Sequence, residues 1–312
     1  MEQSFGTSRR TVVGFGDDIS ALRLTRHKLA VLKTDMLVGS TDIPPGMTLR
    51  QAARKAVVAN VSDLAAKGAK PYAGLVALGL PAVLTEHDVL EIARGLSESA
   101  RDYGFPLVGG DTNESKDLVI SIALFGLIDE RKMVLRSGAK VGDIVAVTDS
   151  FGSAPAGLRA LLDGKIRPQR LPQALARAVY HPRAELDLGL RLASTGAITA
   201  SIDSSDGLAW SLHELSKMSG VGIRIGSVPI SRAASEFAGR YGYEASDLAL
   251  YGGEEYHLIV TVNPPLLRKA QHAARGRLRA IGVVTKKSEG IRLVRRNGDI
   301  KIKMKGWEHF RR

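Results

Sequence analysis

The chain has 312 residues, 44% hydrophobic and 24% charged, which suits roughly two domains with a sizeable core. It has no cysteine, so disulfides, thiolate zinc sites and cysteine nucleophiles are excluded. The net charge of +12 invites a nucleic-acid reading, but the basic residues are dispersed and aromatics are only 5%, too few for a base-stacking platform.

A basic surface that attracts small polyanions accounts for the charge as well, so no nucleic-acid partner is expected. No stretch approaches the roughly 18 apolar residues of a membrane span. No signal peptide is visible either, so a cytoplasmic protein without membrane contact is the expectation.

Thr11–Phe15 reads as a short strand ending in Gly16-Asp17-Asp18, and Leu29–Leu32 as another ending in Thr34-Asp35. A polar loop holding Asp42, Pro44 and Pro45 leads to Thr48, which suits the N-cap of a helix. Within that helix Val57, Val58, Val61, Leu64 and Ala65 form a broad apolar surface, and Asn60 and Asp63, three apart, share a face with it. Gly68 and Pro71 end it. A carboxylate on so apolar a helix costs free energy unless a cation, a metal or several donors meet it.

Gly74–Leu80 reads as a strand, and Thr85 as the cap of a helix over Glu86–Tyr103. Leu107-Val108 runs into Gly109-Gly110-Asp111-Thr112, and Leu118–Ile128 is a long apolar strand. Arg136–Asp143 reads as a turn and Ile144–Thr148 as a strand, with a domain boundary dividing residues 1–137 from 138–312. Gly152 and Pro155 open a helix through Leu162, followed by a proline-punctuated basic segment and a helix over Ala184–Ser194. Ile198–Ile202 ends in Asp203-Ser204-Ser205-Asp206-Gly207, before a helix through Met218. Val221–Ile225 and Tyr256–Val262 read as strands, with a Gly252-Gly253 turn before the second. A basic helix over Pro265–Arg275 follows. Three closing strands and an aromatic tail, Trp307–Phe310, complete the chain. Strands and helices intermix throughout, so the class is α/β or α+β.

One device recurs: an apolar strand ending in small residues and aspartate, at Asp17-Asp18, Asp35, Asp111 and Asp203/Asp206. Each alone is an ordinary turn signal. Together with Asp63 they concentrate carboxylates in an otherwise basic protein. Clustered carboxylate oxygens suit magnesium, which sits between a few carboxylates and substrate phosphates. Gly109-Gly110 lets a backbone approach a phosphate closely. There is no G-x-x-x-x-G-K-[ST] loop, no kinase H-R-D…D-F-G set and no G-x-S-x-G elbow. The residues by themselves point to a magnesium-dependent enzyme acting on a phosphorylated nucleotide.

The same residues, in this order, resemble the thiamine-monophosphate kinase family, within the superfamily that includes aminoimidazole ribonucleotide synthetase. The matching stretches are Gly14-Phe-Gly-Asp-Asp18, Thr34-Asp-Met-Leu-Val38, Ala59-Asn-Val-Ser-Asp-Leu-Ala-Ala66 and Gly109-Gly-Asp-Thr112. Arg136-Ser-Gly-Ala139, Ile202-Asp-Ser-Ser-Asp-Gly-Leu208, Gly252-Gly-Glu-Glu-Tyr256 and Gly306-Trp-Glu-His-Phe310 continue the match over nearly the whole chain. The resemblance implies an N-terminal α/β domain that dimerises through its sheet, and a C-terminal domain of helices on a sheet. ATP would lie in the groove between them with several magnesium ions.

By matching positions, Asp18, Thr34, Asp35, Asp63, Asp111, Asp203 and Asp206 would be metal ligands. Tyr103, Gly110, Arg136 and Ser205 would contact ATP, with Asp111 beside them, while Asp42, Glu254, Glu255 and Trp307 would face the acceptor. Asp63, Asp111, Arg136 and Asp206 would carry the chemistry, in-line transfer of the γ-phosphoryl group to an acceptor phosphate that is already anionic. Two departures fall in the acceptor region: Asp42 stands where bacterial relatives commonly carry His, and Glu255 where they carry Asp. Aminoimidazole ribonucleotide synthetase is the enzymatic alternative, and a basic nucleic-acid-binding protein the alternative of another class.

Overall fold

The computed structural model describes residues 8–306. Its first sheet has six strands: β1 (Thr11–Val13), β2 (Ser20–Arg23), β3 (Lys28–Val38), β4 (Lys70–Leu80), β5 (Leu107–Glu114) and β6 (Val119–Asp129). They lie in the order β1-β2-β3-β6-β4-β5. Three helices belong to this part: α1 (Gly39–Asp42), α2 (Leu49–Lys67) and α3 (Glu86–Asp102). Because α3 returns the chain to the same end of the sheet, β4 and β5 are parallel, while the other pairs of this sheet are antiparallel.

The local chemistry of α2 explains its length. Thr48 accepts from the Gln51 backbone while the Gln51 side chain returns a bond to the Thr48 N–H, so two of the first-turn donors are satisfied. At the other end Gly68 takes a left-handed conformation, φ 67°, and closes the helix. Between the caps Val57, Val58, Val61 and Leu64 have no exposed surface.

The second sheet has seven strands: β7 (Ile144–Val147), β8 (Ile198–Asp203), β9 (Gly222–Ile225), β10 (Leu258–Val262), β11 (Arg279–Thr285), β12 (Ile291–Leu293) and β13 (Ile300–Lys301). Their order is β13-β12-β9-β11-β7-β10-β8, with only β9 and β12 parallel. Around it lie α4 (Ser153–Leu162), α5 (Gln173–Tyr180), α6 (Leu186–Ser194), α7 (Leu208–Ser219), α8 (Arg232–Tyr241), α9 (Ala245–Tyr251) and α10 (Leu267–Ala273). Helix α2 touches both halves. One apolar core runs from Val57 and Leu64 to Leu192 on α6 and Val260 on β10.

Several sequence expectations change. Strand β3 does not stop before Thr34-Asp35 but carries both within it, and Asp111 likewise lies inside β5. The pairing of β3 with β6 continues to Val38, and backbone pairing overrides the turn preference of Asp. The basic segment after Leu162 contains α5, whose Leu175, Val179 and Tyr180 form its buried stripe. Strand β2 and helices α1, α8 and α9 have no counterpart among those expectations. The aromatic tail Trp307–Phe310 lies outside the described residues.

Candidate functional site

Carboxylates from three separate elements converge beside α2. Asp18 follows β1, Asp63 sits on α2, and Asp203 ends β8; one oxygen of each lies within 4.8 Å of the others, and all three residues are buried. The sequence fixes Asp63 here through helical spacing. Asn60, one turn earlier on the same face, accepts from the Asp35 backbone at 3.0 Å and ties α2 to the middle of β3. Ser62 donates to Asp203, joining α2 to β8.

Two lysines hold this charge. Lys67, one turn beyond Asp63, has no exposed side-chain surface and meets Asp17 at 2.8 Å and Asp18 at 2.6 Å. It also donates to the Ser201 carbonyl at 2.7 Å. Lys33 projects from β3 between Asp35, at 3.1 Å, and Asp63. Arg136 donates to Asp18 through Nε at 2.7 Å and through Nη2. Neither lysine was singled out from the sequence, yet both follow its periodicity. Lys67 is at helical spacing from Asp63, and Lys33 alternates with Asp35 on one strand face.

The electrostatics are uneven. Burial would raise Asp18, but Lys67 and Arg136 outweigh it and hold the carboxyl below its ordinary value. Burial raises Asp63 well above the carboxylate range, against the pull of Lys33, and Asp203, Asp18 and Asp35 push it further. Burial and Asp18 raise Asp203, and burial with Asp203 pushes Asp206 up to about 6. When all are ionised, Asp17, Asp18, Asp35, Asp63, Asp203 and Asp206 outnumber the cations beside them, Lys33, Lys67 and Arg136.

Beside the cluster the Gly252-Gly253-Glu254-Glu255 segment packs on the Asp203–Asp206 loop. The Glu254 N–H donates to the Ser205 carbonyl at 2.7 Å, and a Cβ at Gly253 would come within 2.4 Å of that oxygen. Glycine is required at this crossing. Glu254 and Tyr256 both take left-handed backbone conformations, φ 68° and 54°, unusual for residues with side chains. On its far side the segment forms part of the wall of a cavity of about 870 Å³, which Tyr103, Glu185, His257 and Arg277 also line.

The anticipated residues separate into groups. Asp18, Asp63 and Asp203 meet directly, while Asp35 and Asp206 act on them electrostatically. Ser205 donates to Asp203 at 3.1 Å. Tyr103, Glu254 and Glu255 share the cavity, and the Tyr103 hydroxyl accepts from the Ala184 N–H at 2.8 Å. Asp42 caps its own turn by accepting from Val38 at 2.7 Å; Lys55 then joins its carbonyl, at 2.8 Å, to Glu254, also at 2.8 Å.

Thr34 and Asp111 stand apart. Strand alternation turns Thr34 to the open face with Leu32 and Met36, away from Lys33 and Asp35, and Asp111 is exposed on β5. The glycine at 110 answers a neighbouring strand, since a Cβ there would lie 1.9 Å from the Val76 carbonyl. Trp307 lies outside the described residues, but Gly306 abuts the Asp206 carbonyl, where a Cβ would stand at 2.5 Å.

Residues 16–128 match the family model of the AIR synthase related protein, N-terminal domain. The chain is 38% identical over 299 residues to the thiamine-monophosphate kinase of Nitrosopumilus maritimus, covering 95% of this chain and 93% of the relative. It is 34% identical over 297 residues to that of Pyrococcus abyssi, covering 95% and 90%. Among solved structures, AaThiL complexed with AMPPCP and TMP is similar at a TM-score of 0.83 and 30% identity, with 97% of this chain and 93% of that chain covered.

Proposed function

The chain belongs to the thiamine-monophosphate kinase family, and from that premise we propose how its site works. It phosphorylates thiamine monophosphate to thiamine diphosphate at the expense of ATP. The observation that carries the mechanism is the buried trio Asp18, Asp63 and Asp203, with oxygens within 4.8 Å of one another.

Oxygen-only donors with uncompensated charge suit magnesium, held by this trio with Asp35 and Asp206. Thr34 and Asp111, set apart from the trio, join the ligand set on the family resemblance alone. Bound there, magnesium would supply positive charge that offsets the repulsion between two polyanions. The protein's own groups prepare the place. Lys33 and Lys67 keep the carboxylates from springing apart, and Arg136, with 21% of its side chain exposed, presents positive charge at the cluster's open side. The acceptor phosphate is already ionised at neutral pH, so no general base is needed.

Tyr103, Gly110, Arg136 and Ser205 are proposed to contact ATP. Asp42, Glu254, Glu255 and Trp307 are proposed to face the acceptor. In support, Tyr103, Glu254 and Glu255 line one cavity, and Gly306 packs on the aspartate loop. The division into residues 1–137 and 138–312 is supported by one sheet on each side of it. Association into a homodimer through the first sheet is proposed as the assembly. Among the described residues no helix is long and apolar enough to cross a membrane.

Incubation with ATP and thiamine monophosphate, with and without magnesium, tests the reading by chromatography of the products. Thiamine diphosphate and ADP should appear in equal amounts and only with magnesium. ADP without thiamine diphosphate would overturn the acceptor assignment.

A further inference from the structure

We propose that His257, set between two buried glutamates, is a positioning residue that fixes Glu255 in the wall of the acceptor cavity. The proposal rests on the kinase reading above for the identity of the acceptor, but its geometry does not.

His257 is held at both ends. Its backbone is clamped to the aspartate loop: the Ser204 hydroxyl accepts from its N–H and donates to its carbonyl, both at 3.0 Å. Its ring stands edge-on to Phe151, with centroids 5.5 Å apart. Nε2 lies 3.5 Å from Glu255 and Nδ1 3.5 Å from Glu185. Both glutamates are anchored beyond the ring. Glu255 accepts from the Gly152 N–H, and Glu185 accepts from Thr148 and Arg277. The buried Nδ1 has no hydrogen-bond partner of good geometry among the described residues, so charge and packing hold the ring between the carboxylates. Consistent with this, burial opposes charge on the ring, but Glu185 and Glu255 outweigh it and push the imidazole up to about 10.

Glu255 needs such a hold. The residues on either side of it, Glu254 and Tyr256, are both left-handed, a conformation that persists only where the surroundings enforce it. Thiamine monophosphate carries a fixed positive charge on its thiazolium ring, and an immobile acidic side chain at Glu255 is suited to face it. Without His257, Glu185 and Glu255 would face each other with nothing between them.

A metal is the other reading of this corner, because Asp149, Glu185 and His257 can bring one donor each within 4.8 Å. Arg277 argues against it. Its guanidinium already bonds Glu185 and lies 3.6 Å from Asp149, supplying the cation that a metal would supply.

Two readouts test the proposal: steady-state kinetics, and hydrogen exchange of the 252–257 amides in substrate-free protein. His257→Leu should raise KM for thiamine monophosphate at least tenfold while KM for ATP stays within twofold. The 252–257 amides should exchange at least tenfold faster, and His257→Gln, which keeps a donor toward Glu255, should restore much of both. Glu185→Gln preserves side-chain size and should show the same split; it serves if the leucine variant fails to fold. Unchanged exchange, or an equal rise in both KM values, would overturn the positioning role. Wild-type protein that does not phosphorylate thiamine monophosphate would instead overturn the kinase reading, while the exchange result would still decide the role of His257.

Discussion

Lys67 is fully enclosed, and its ammonium group sits between Asp17 and Asp18 at 2.8 and 2.6 Å. Removing one partner of a buried ion pair leaves the other charge without compensation, at a cost of about 3–5 kcal/mol. Lys67→Met should therefore lower the unfolding free energy by that amount, read as a shift in urea midpoint at constant slope. A loss under about 1 kcal/mol would mean that Arg136 alone neutralises Asp18. Asp63 should behave in the opposite sense. Its folded-state pKa is raised, so ionisation costs the metal-free protein stability as pH rises from the ordinary carboxylate value toward the folded one. Asp63→Asn removes that cost, and Lys33, which loses Asp63, keeps Asp35 at 3.1 Å as its partner. At neutral pH its Tm without magnesium should equal or exceed that of wild type, while turnover falls by orders of magnitude and the rise in Tm on adding magnesium disappears. A variant with near-normal turnover would remove Asp63 from the proposed ligand set.

At the scale of elements, α2 shows what the sequence discloses and what it hides. Its cap at Thr48, its stop at Gly68 and the shared face of Asn60 and Asp63 are all encoded locally in the sequence. The full extent of strands β3 and β5 is hidden because Thr34-Asp35 and Gly109-Gly110-Asp111 carry turn residues, and only pairing with distant β6 and β4 keeps them extended. The convergence of Asp18, Asp63 and Asp203 is non-local and follows from topology rather than from any local signal. Contact between α2 and α6 is another such feature. Gly189 on α6 lies so close to α2 that a Cβ would stand 2.1 Å from the Ala65 carbonyl. Gly189→Ala must push the helices apart, and overpacking of this kind costs about 1–3 kcal/mol. Because Glu185 immediately precedes α6, the shift should also disturb the cavity wall. Calorimetry should show a lowered Tm, and an unchanged Tm would mean that α6 slides freely.

Across the whole molecule, one surface does not suit an isolated chain. The first sheet is covered on one face by α2, where Leu29, Val31 and Leu37 are buried, but its other face carries Leu32, Met36, Tyr72 and Leu75 exposed. Val108 on β5 is exposed as well. Isolated exposed apolar residues need no explanation, but a group on neighbouring strands marks a contact surface. An isologous pairing of two such faces would bury the group on both copies at once, as closed two-fold symmetry requires. It would also bring the exposed Thr34 and Asp111 toward a second chain. The proposed homodimer therefore makes a definite prediction. Sedimentation velocity should give a dimer for the wild type, and Leu75→Glu, which places a charge in the middle of the face, should shift it to monomer. The substituted side chain points away from the α2 core, so the monomer should remain folded by circular dichroism. A wild-type monomer at micromolar concentration would overturn the pairing and leave the open face without an occupant. A dimer indifferent to Leu75→Glu would move the interface to another surface.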